Sequence, residues 1–362
     1  MNKVLFVIKA PASGGAETYL LRFMKHIPGD YTVLCKGGCG GELESEYVKV
    51  CKLVKEYRVG YFNPINYIKL YKYFRKNKFD VICDFQGNFA GLVLLCAKLA
   101  GIKKRIAFYR ESRNKFPNDP LRKCYKWAVT KAMIYSSNKI LANSYEALNH
   151  FHPNWKETTE RYEVIYNGFD CSALSSKTKE EVRLSLNIPI DAFVIGHSGR
   201  YCEAKNHEMI MKVAYKLCKD NPHLYFVLMG RGVRERYEAE VQSRGLSNQI
   251  KILGYRSDVL DVLRSLDLFY FPSLTEGQPN ALIEAMANNL PFVASNIEPI
   301  KETVPSELEA ILVSPTDFEA NYMAVTNAIK NCREGDVRTV GKWTLENFDA
   351  DKLFDEFKKE LL

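Results

Sequence analysis

Two cations, Arg200 and Lys205, stand in the segment Gly199-Arg200-Tyr201-Cys202-Glu203-Ala204-Lys205-Asn206-His207, where an apolar run ends and a helical pattern begins. The helix dipole disfavours positive charge at an N-terminus by roughly 0.3–1 kcal/mol, so a sequence that keeps cations there has an anion to hold. Arg200 offers a planar fork and Lys205 a point charge. With the amides of the first helical turn they would cradle a diphosphate. Two solvated cations with Glu203 between them are the plainer alternative.

A second segment, Glu276-Gly277-Gln278-Pro279-Asn280-Ala281-Leu282-Ile283-Glu284-Ala285-Met286, follows the apolar run LDLFYFPS. Pro279 suits a first helical turn. Glu284 then falls on a helix among Ala281, Ile283, Ala285 and Met286, with no Lys or Arg three or four positions away. A carboxylate in so apolar a setting calls for hydrogen-bond donors, and sugar hydroxyls are good ones. Glu276 stands at the loop end of the same unit, so two carboxylates flank one helix N-terminus and can grip two parts of one ligand. A third segment, Pro11-Ala12-Ser13-Gly14-Gly15-Ala16-Glu17, pairs two glycines between an apolar run and a helix, which lets backbone approach a ligand closely. It matches neither the GxGxxG fingerprint nor a P-loop.

Lesser features are Tyr255-Arg256, at a loop position suited to a base or ribose, and Gly230-Arg231-Gly232, which lacks a third glycine and reads as a turn. Asp349-Ala350-Asp351 has a metal-binding spacing but lies in a helical stretch far from any Gly-rich loop. His197 and His207 have no second His or Cys at metal spacing and read as packing or capping residues. No metal is expected.

These segments must be positioned by the elements around them. Short apolar runs alternate with amphipathic stretches throughout, the pattern of parallel sheets wrapped by helices. The strand candidates of the first half are Lys3 to Ile8, Tyr31 to Cys35, Leu53 to Tyr57, Asp80 to Phe85, Arg105 to Tyr109, Lys139 to Asn143 and Tyr162 to Tyr166. Those of the second half are Ala192 to His197, Leu224 to Met229, Ile250 to Leu253, Leu266 to Phe271, Pro291 to Ser295 and Ala310 to Val313. The turn Asn167-Gly168 and the polar run after it mark a junction. The chain is therefore expected to hold one doubly wound domain at 1–170, another at 171–340, and a C-terminal helical segment at 341–362.

A length of 362 residues, with 46% hydrophobic and 26% charged residues, fits two globular domains and excludes disorder, collagen and coiled coil as readings of the whole chain. The longest apolar stretch, Phe89 to Ile102, is shorter than the ~20 residues of a membrane span and carries Lys98. The five-residue apolar start VLFVI does not read as a signal peptide. The ten cysteines form no CxxC pair and read as reduced core residues, with Cys83, Cys96, Cys124, Cys171, Cys202 and Cys218 in apolar patterns, as in a cytoplasmic protein. Charge is uneven: residues 1–170 hold 28 Lys and Arg against 15 Asp and Glu, whereas residues 171–362 hold 23 against 28. A basic first half attracts an anionic substrate, lipid or nucleic acid.

In this order, Gly14-Gly15-Ala16-Glu17, Gly199-Arg200 with Lys205-Asn206-His207, and Glu276 followed by Glu284 resemble the retaining glycosyltransferases of family 4, which have the GT-B fold. Ala142-Asn143-Ser144, Val164-Ile165-Tyr166-Asn167-Gly168-Phe169-Asp170, Gly254-Tyr255-Arg256-Ser257-Asp258-Val259 and Pro272-Ser273 strengthen the likeness, which runs from about residue 3 to residue 301. It implies two Rossmann-like domains facing across a cleft, with a C-terminal helix crossing back to the first. It also implies a metal-independent hexosyltransferase without a cofactor, moving a sugar from a nucleotide sugar, a UDP-sugar by the family's commonest usage, to a glycan or lipid-linked saccharide in surface polysaccharide biosynthesis such as capsule or lipopolysaccharide.

The resemblance assigns Arg200, Lys205 and Glu276 to catalysis. Arg200 and Lys205 neutralise the departing diphosphate. Glu276 contacts the donor sugar and Glu284 the ribose. Gly277, Gln278, Pro279, Asn280 and Ala281 face sugar and phosphate, Tyr255 and Arg256 the nucleoside, and Gly14 and Gly15 admit the phosphate from the first domain. Relatives usually carry a His near the end of the strand matched by Arg105 to Tyr109; this chain reads Phe108-Tyr109-Arg110-Glu111-Ser112-Arg113, which leaves Arg110 and Glu111 as acceptor-side candidates. The basic stretches Tyr61 to Lys78 and Leu121 to Lys131 carry interfacial aromatics, which suits peripheral contact with an anionic membrane at the cytoplasmic face. Nucleic acid fits the acidic second half poorly. The alternatives are a catalytically silent relative that binds a nucleotide sugar or serves as a scaffold, and an epimerase of the same general fold.

Overall fold

The apolar runs form strands that all pair in parallel, because β-branched and aromatic residues buried on both faces of a sheet read as continuous rather than alternating hydrophobicity. The computed structural model describes residues 2–12, 14–60, 63–110, 120–171, 174–335 and 339–362. Two units emerge: Met1–Gly168 together with Asp351–Leu362, and Phe169–Ala350.

Unit 1 runs β1 (Lys3–Ile8), α1 (Gly15–His26), β2 (Asp30–Cys35), α2 (Glu44–Val50), β3 (Lys52–Val54), α3 (Pro64–Asn77), β4 (Val81–Asp84), α4 (Gly91–Leu99), β5 (Lys104–Tyr109), α5 (Pro120–Ser136), β6 (Lys139–Ala142), α6 (Tyr145–Phe151) and β7 (Tyr162–Val164). Its sheet has the order β3-β2-β1-β4-β5-β6-β7, so the winding reverses between β1 and β4. Asn63 caps α3 and Ser144 caps α6, each side chain accepting an amide three residues on. One face of the sheet buries Leu5, Val7, Ile82 and Ala107 under Leu70 and Phe74 of α3, Leu94 of α4 and Met133 of α5.

Unit 2 runs α7 (Lys179–Ser185), β8 (Phe193–Ser198), α8 (His207–Asp220), β9 (Leu224–Met229), α9 (Val233–Ser243), β10 (Ile250–Gly254), α10 (Val259–Leu263), β11 (Leu268–Phe271), α11 (Asn280–Ala287), β12 (Phe292–Ala294), α12 (Glu298–Lys301), α13 (Phe318–Glu334) and α14 (Gly341–Asn347). Its sheet order, β10-β9-β8-β11-β12, reverses between β8 and β11. Thr178 and Glu181 form a reciprocal capping box on α7.

Four expectations need correction. Ala310 to Val313 is not a strand: Ser306–Ile311 forms a 3-10 turn launched from Pro305, whose carbonyl accepts from the Leu308 amide, and only Val313 bridges to Ser295. The chain passes from unit 1 to unit 2 after Gly168, at the Asn167-Gly168 turn itself and two residues before the expected bound at 170. Residues 341–362 are not a single crossover helix: α14 belongs to unit 2, and α15 (Ala350–Leu361), in unit 1 from Asp351 onward, is the helix that returns to the first unit. Cys124 and Cys171 are exposed rather than core residues, while Cys83, Cys96 and Cys218 are buried, and all ten thiols are free.

The residues of α15 complete the second face of unit 1. Phe357, wholly buried, packs its ring 4.7 Å from Phe23, 5.4 Å from Phe108, 5.8 Å from Tyr19 and 6.3 Å from Phe6. Such edge-on and tilted clusters add about 0.5–1.5 kcal/mol per pair beyond area burial.

Candidate active site

Ligands of open parallel sheets bind outside the carboxyl ends of the strands where the winding reverses. In unit 2 that place is made by the loops after β8 and β11, which are the two segments singled out from the sequence. The β8 loop leaves the sheet along β9, Gly199 N donating to Met229 O at 2.9 Å and Tyr201 N to Arg231 O at 2.8 Å. Gly230 has φ 151°, and a Cβ there would lie 1.9 Å from the Gly199 carbonyl oxygen, so only glycine lets the two loops pass this closely. Glu203–Lys205 then makes one 3-10 turn, and Asn206, left-handed at φ 54°, redirects the chain into α8.

Three contacts bind the β8 loop to the β11 loop. Leu274 N donates to Ala204 O at 2.8 Å, and Asn206 Nδ2 donates to Pro272 O at 2.9 Å and also to Pro315 O at 2.8 Å. The third is ionic: Lys205 Nζ donates to Glu276 Oε1 at 2.6 Å, with Glu276 buried and Lys205 partly so. The Lys205 ammonium also lies 4.9 Å from the Phe271 ring centre. The cation and carboxylate predicted separately thus form one unit, each holding the other in place. Arg200 is exposed at the same loop and makes no hydrogen bond or ion pair among the described residues.

The remaining predicted residues of this unit gather at the N-terminus of α11. Gln278 is buried and Gly277 half-buried. Pro279 caps the helix instead of standing inside its first turn, Asn280 opens it, and Ala281 and Glu284 are half-buried on it. Tyr255 is exposed with the Arg231 guanidinium 5.7 Å from its ring. Arg256 is engaged by a bidentate pair with Asp258, at 2.7 and 2.5 Å, which turns it toward its own loop.

Beneath the β8 loop, His197 and His207 are both buried with ring centres 5.1 Å apart. His197 Nδ1 meets Tyr270 O at 3.0 Å. Burial holds the imidazole of His197 well below its ordinary range and that of His207 down to about 4, so both are neutral props under the cation-bearing loop.

Unit 1 offers a second set at the carboxyl ends of its strands. Gly14 is the N-cap of α1, with Gly15 the first helical residue, and a Cβ on Gly14 would lie 2.4 Å from the Glu17 carboxylate, which folds back over this end of the helix. Arg110 follows β5. Its guanidinium sits 4.0 Å from the Tyr19 ring centre and 4.8 Å from that of Phe108, and Nη2 donates to Asn167 Oδ1. Burial lowers its pKa to about 10, which leaves it charged. Glu111 lies outside the described residues, as do Ser13 and Tyr61. One pair escaped sequence reasoning: Lys36, after β2, donates to Phe89 O at 3.0 Å and stands 3.9 Å from Asp84, which ends β4 wholly buried. Nothing in either residue's neighbours along the chain announces it. Among the described residues no group of three or more His, Cys, Asp and Glu could hold a metal ion.

Comparison with known proteins matches residues 13–173 to Glycosyltransferase Family 4 and residues 192–331 to Glycosyl transferases group 1. A capsular polysaccharide biosynthesis glycosyltransferase of Staphylococcus aureus, CapH, is 28% identical over 306 residues, 82% of each chain. A UDP-Gal:alpha-D-GlcNAc-diphosphoundecaprenol alpha-1,3-galactosyltransferase of Escherichia coli is 25% identical over 291 residues, 74% of this chain and 73% of the relative. Among solved structures, HepE of Anabaena in complex with UDP-glucose superposes with a TM-score of 0.81 at 20% identity, covering 100% of this chain and 99% of its own. WaaG, a glycosyltransferase of lipopolysaccharide biosynthesis, gives 0.76 at 14% identity, with 99% of each chain covered.

Proposed function

The chain belongs to glycosyltransferase family 4 and has the GT-B fold, and from that membership we propose that it moves a sugar from a UDP-sugar, with retention at the anomeric carbon, onto a lipid-diphosphate-linked saccharide in surface polysaccharide assembly. The observation that carries this reading is the Lys205–Glu276 pair at the winding reversal of unit 2, between the N-termini of α8 and α11. Relatives whose names state UDP-sugar donors and diphosphoundecaprenol-linked acceptors support the substrate classes.

In this reading Arg200 and Lys205 balance the charge that collects on the β-phosphate as the bond from the sugar's anomeric carbon breaks. Glu276 fixes the ammonium of Lys205 toward that phosphate and offers its carboxylate to the donor sugar, while Glu284 takes the ribose hydroxyls. Amides at the start of α11 face phosphate and sugar. The acceptor hydroxyl forms its bond to the anomeric carbon on the face the diphosphate leaves, and its proton passes to a departing phosphate oxygen. No protein nucleophile is required, nor a metal.

Titration of purified protein with UDP, GDP and a panel of UDP-sugars, without added metal and followed by thermal unfolding, tests the donor. A ligand of the folded state at 100 times its Kd adds about 2.7 kcal/mol, a shift of several degrees. The expected result is a rise with UDP and one UDP-sugar that Arg200→Ala abolishes. No rise with any nucleotide in folded protein would instead favour a silent relative.

We also infer peripheral docking on an anionic bilayer through unit 1. Helices α3, α4 and α5 together carry nine Lys and Arg and no Asp or Glu. α4 packs against both of the others, so these charges share one side of the sheet. Ile65, Ile68, Leu99, Leu121, Trp127 and Tyr135 are exposed among them. Basic helices with exposed aromatic and aliphatic side chains lie in the headgroup region of anionic membranes. No described helix is long and apolar enough to cross a membrane.

A further inference from the structure

The carboxyl edge of the unit 1 sheet holds several buried polar atoms without a hydrogen bond: Arg110 Nη1 after β5, Asn143 Oδ1 after β6, the Tyr19 hydroxyl on α1, and Asp84 Oδ2 at the end of β4, which has only the Lys36 ammonium at 3.9 Å. Buried polar atoms in folded proteins are nearly all hydrogen-bonded, so a group of them on one edge marks an incomplete site. Arg110 is the one cation of the group. Its flat faces are covered by Tyr19 and Phe108, and its one hydrogen-bond partner is the neutral Asn167 amide. No carboxylate lies within ion-pair distance of it among the described residues, Glu17 acting on it only from farther off, and a half-buried cation without a close counter-ion is costly to keep.

The neighbours narrow the missing group. Tyr19 lies one turn beyond Gly14 and Gly15, so the guanidinium packs against the first turns of α1, whose N-cap offers no side-chain hydrogen bond. Asn143 Nδ2 donates to Arg110 O at 3.4 Å, which places the unpartnered Oδ1 of the same amide beside Arg110 as an acceptor for a hydroxyl. A guanidinium clamped at Nη2, stacked on aromatic rings and unpartnered at a buried Nη1 holds a donor fixed for an anion's oxygen.

We propose that Arg110 is a ligand-binding residue of unit 1 whose Nη1 donates to a phosphate oxygen of a diphosphate-bearing substrate. The diphosphate is either the acceptor's lipid linkage or the donor's own. The proposal rests on the glycosyltransferase reading for the identity of those two sources, but not for the presence of an anion site at Arg110.

Calorimetric titration with inorganic diphosphate, with and without saturating UDP, and with UDP alone, separates these possibilities in wild type, Arg110→Gln and Arg110→Lys, each first checked for native circular dichroism. The expected result is that wild type saturated with UDP still takes up diphosphate, that Arg110→Gln weakens this by about tenfold or more, and that Arg110→Lys falls between them. UDP affinity then stays at the wild-type value in both variants, assigning the anion to the acceptor. If Arg110→Gln weakens UDP by a similar factor, the phosphate site stands and its source is the donor. Wild type that binds no diphosphate in either arm, or Arg110→Gln that binds diphosphate and UDP as wild type does, overturns the proposal. Should Arg110→Gln not fold, Arg110→Lys decides: affinities equal to wild type in both arms overturn it. Absence of UDP binding alongside diphosphate binding that depends on Arg110 would sink the glycosyltransferase reading and leave the anion site intact.

Discussion

At the residue scale, Lys205 and Glu276 are mutually dependent, and this separates their structural from their functional part. Removing one leaves a mostly buried partner uncompensated, at a cost of about 1–3 kcal/mol for a pair that keeps some solvent contact. Lys205→Met and Glu276→Gln should each lower the melting temperature by several degrees, and the double variant should recover most of that loss. UDP affinity should stay low in both proteins lacking Lys205. Recovery of affinity in the double variant would mean that Lys205 serves the fold alone. The buried histidines make a second expectation. His152, whose Nε2 meets the Tyr109 hydroxyl at 3.0 Å, is held by burial down to about 4, as is His207. Their folded values lie below the ordinary 6.5, so the unfolded chain takes up protons first as pH falls. Stability is complete above pH 6.5 and declines from there toward pH 4, by about 1.4 kcal/mol per pH unit for each group. Urea midpoints measured from pH 7 to 4.5 should show this fall, and His152→Gln should make it shallower while leaving the part due to His207.

At the scale of elements, α15 gives the clearest expectation. Phe357 is wholly buried among Phe6, Tyr19, Phe23, Phe85 and Phe108, so Phe357→Ala should cost about 3–5 kcal/mol, read as an early unfolding step in urea, whereas Phe357→Leu should cost much less. The strands were legible because parallel strands covered on both faces are written as unbroken apolar runs. The one misread run, Ala310 to Val313, follows Pro305 and a turn rather than a crossover helix, and apolar character by itself does not distinguish these. Of the site, the residue types were legible and their partnerships were not. Lys205 and Glu276 are 71 positions apart, and Arg256 is occupied by Asp258, two positions on. Arg110 looked like one cation among many; its burial against three aromatic rings belongs to tertiary packing.

At the scale of the whole molecule, the charge difference between the two halves has a measurable counterpart. The 362-residue chain should float with vesicles rich in anionic lipid at low salt and be released as ionic strength rises, since screening shortens the reach of such charges to about 8 Å at physiological salt. Replacing Trp127 and Leu121 with Ser should weaken flotation without altering UDP affinity, because both are exposed on α5 and neither is among the candidate site residues. Equal recovery with neutral and anionic vesicles would argue against an electrostatic dock.

Unit 1 is assembled from two stretches of chain, and translation makes them far apart in time. The aromatic face of Phe6, Tyr19, Phe23, Phe85 and Phe108 is finished well before the helix that covers it has been synthesised. At 5–20 residues per second a ribosome spends roughly 10–40 s on residues 169–350. Throughout that interval the nascent first unit displays an oily trough of the kind chaperones grip. A message broken anywhere within unit 2 releases a polypeptide whose trough is never filled, so premature termination is advertised on the surface of the unit made first.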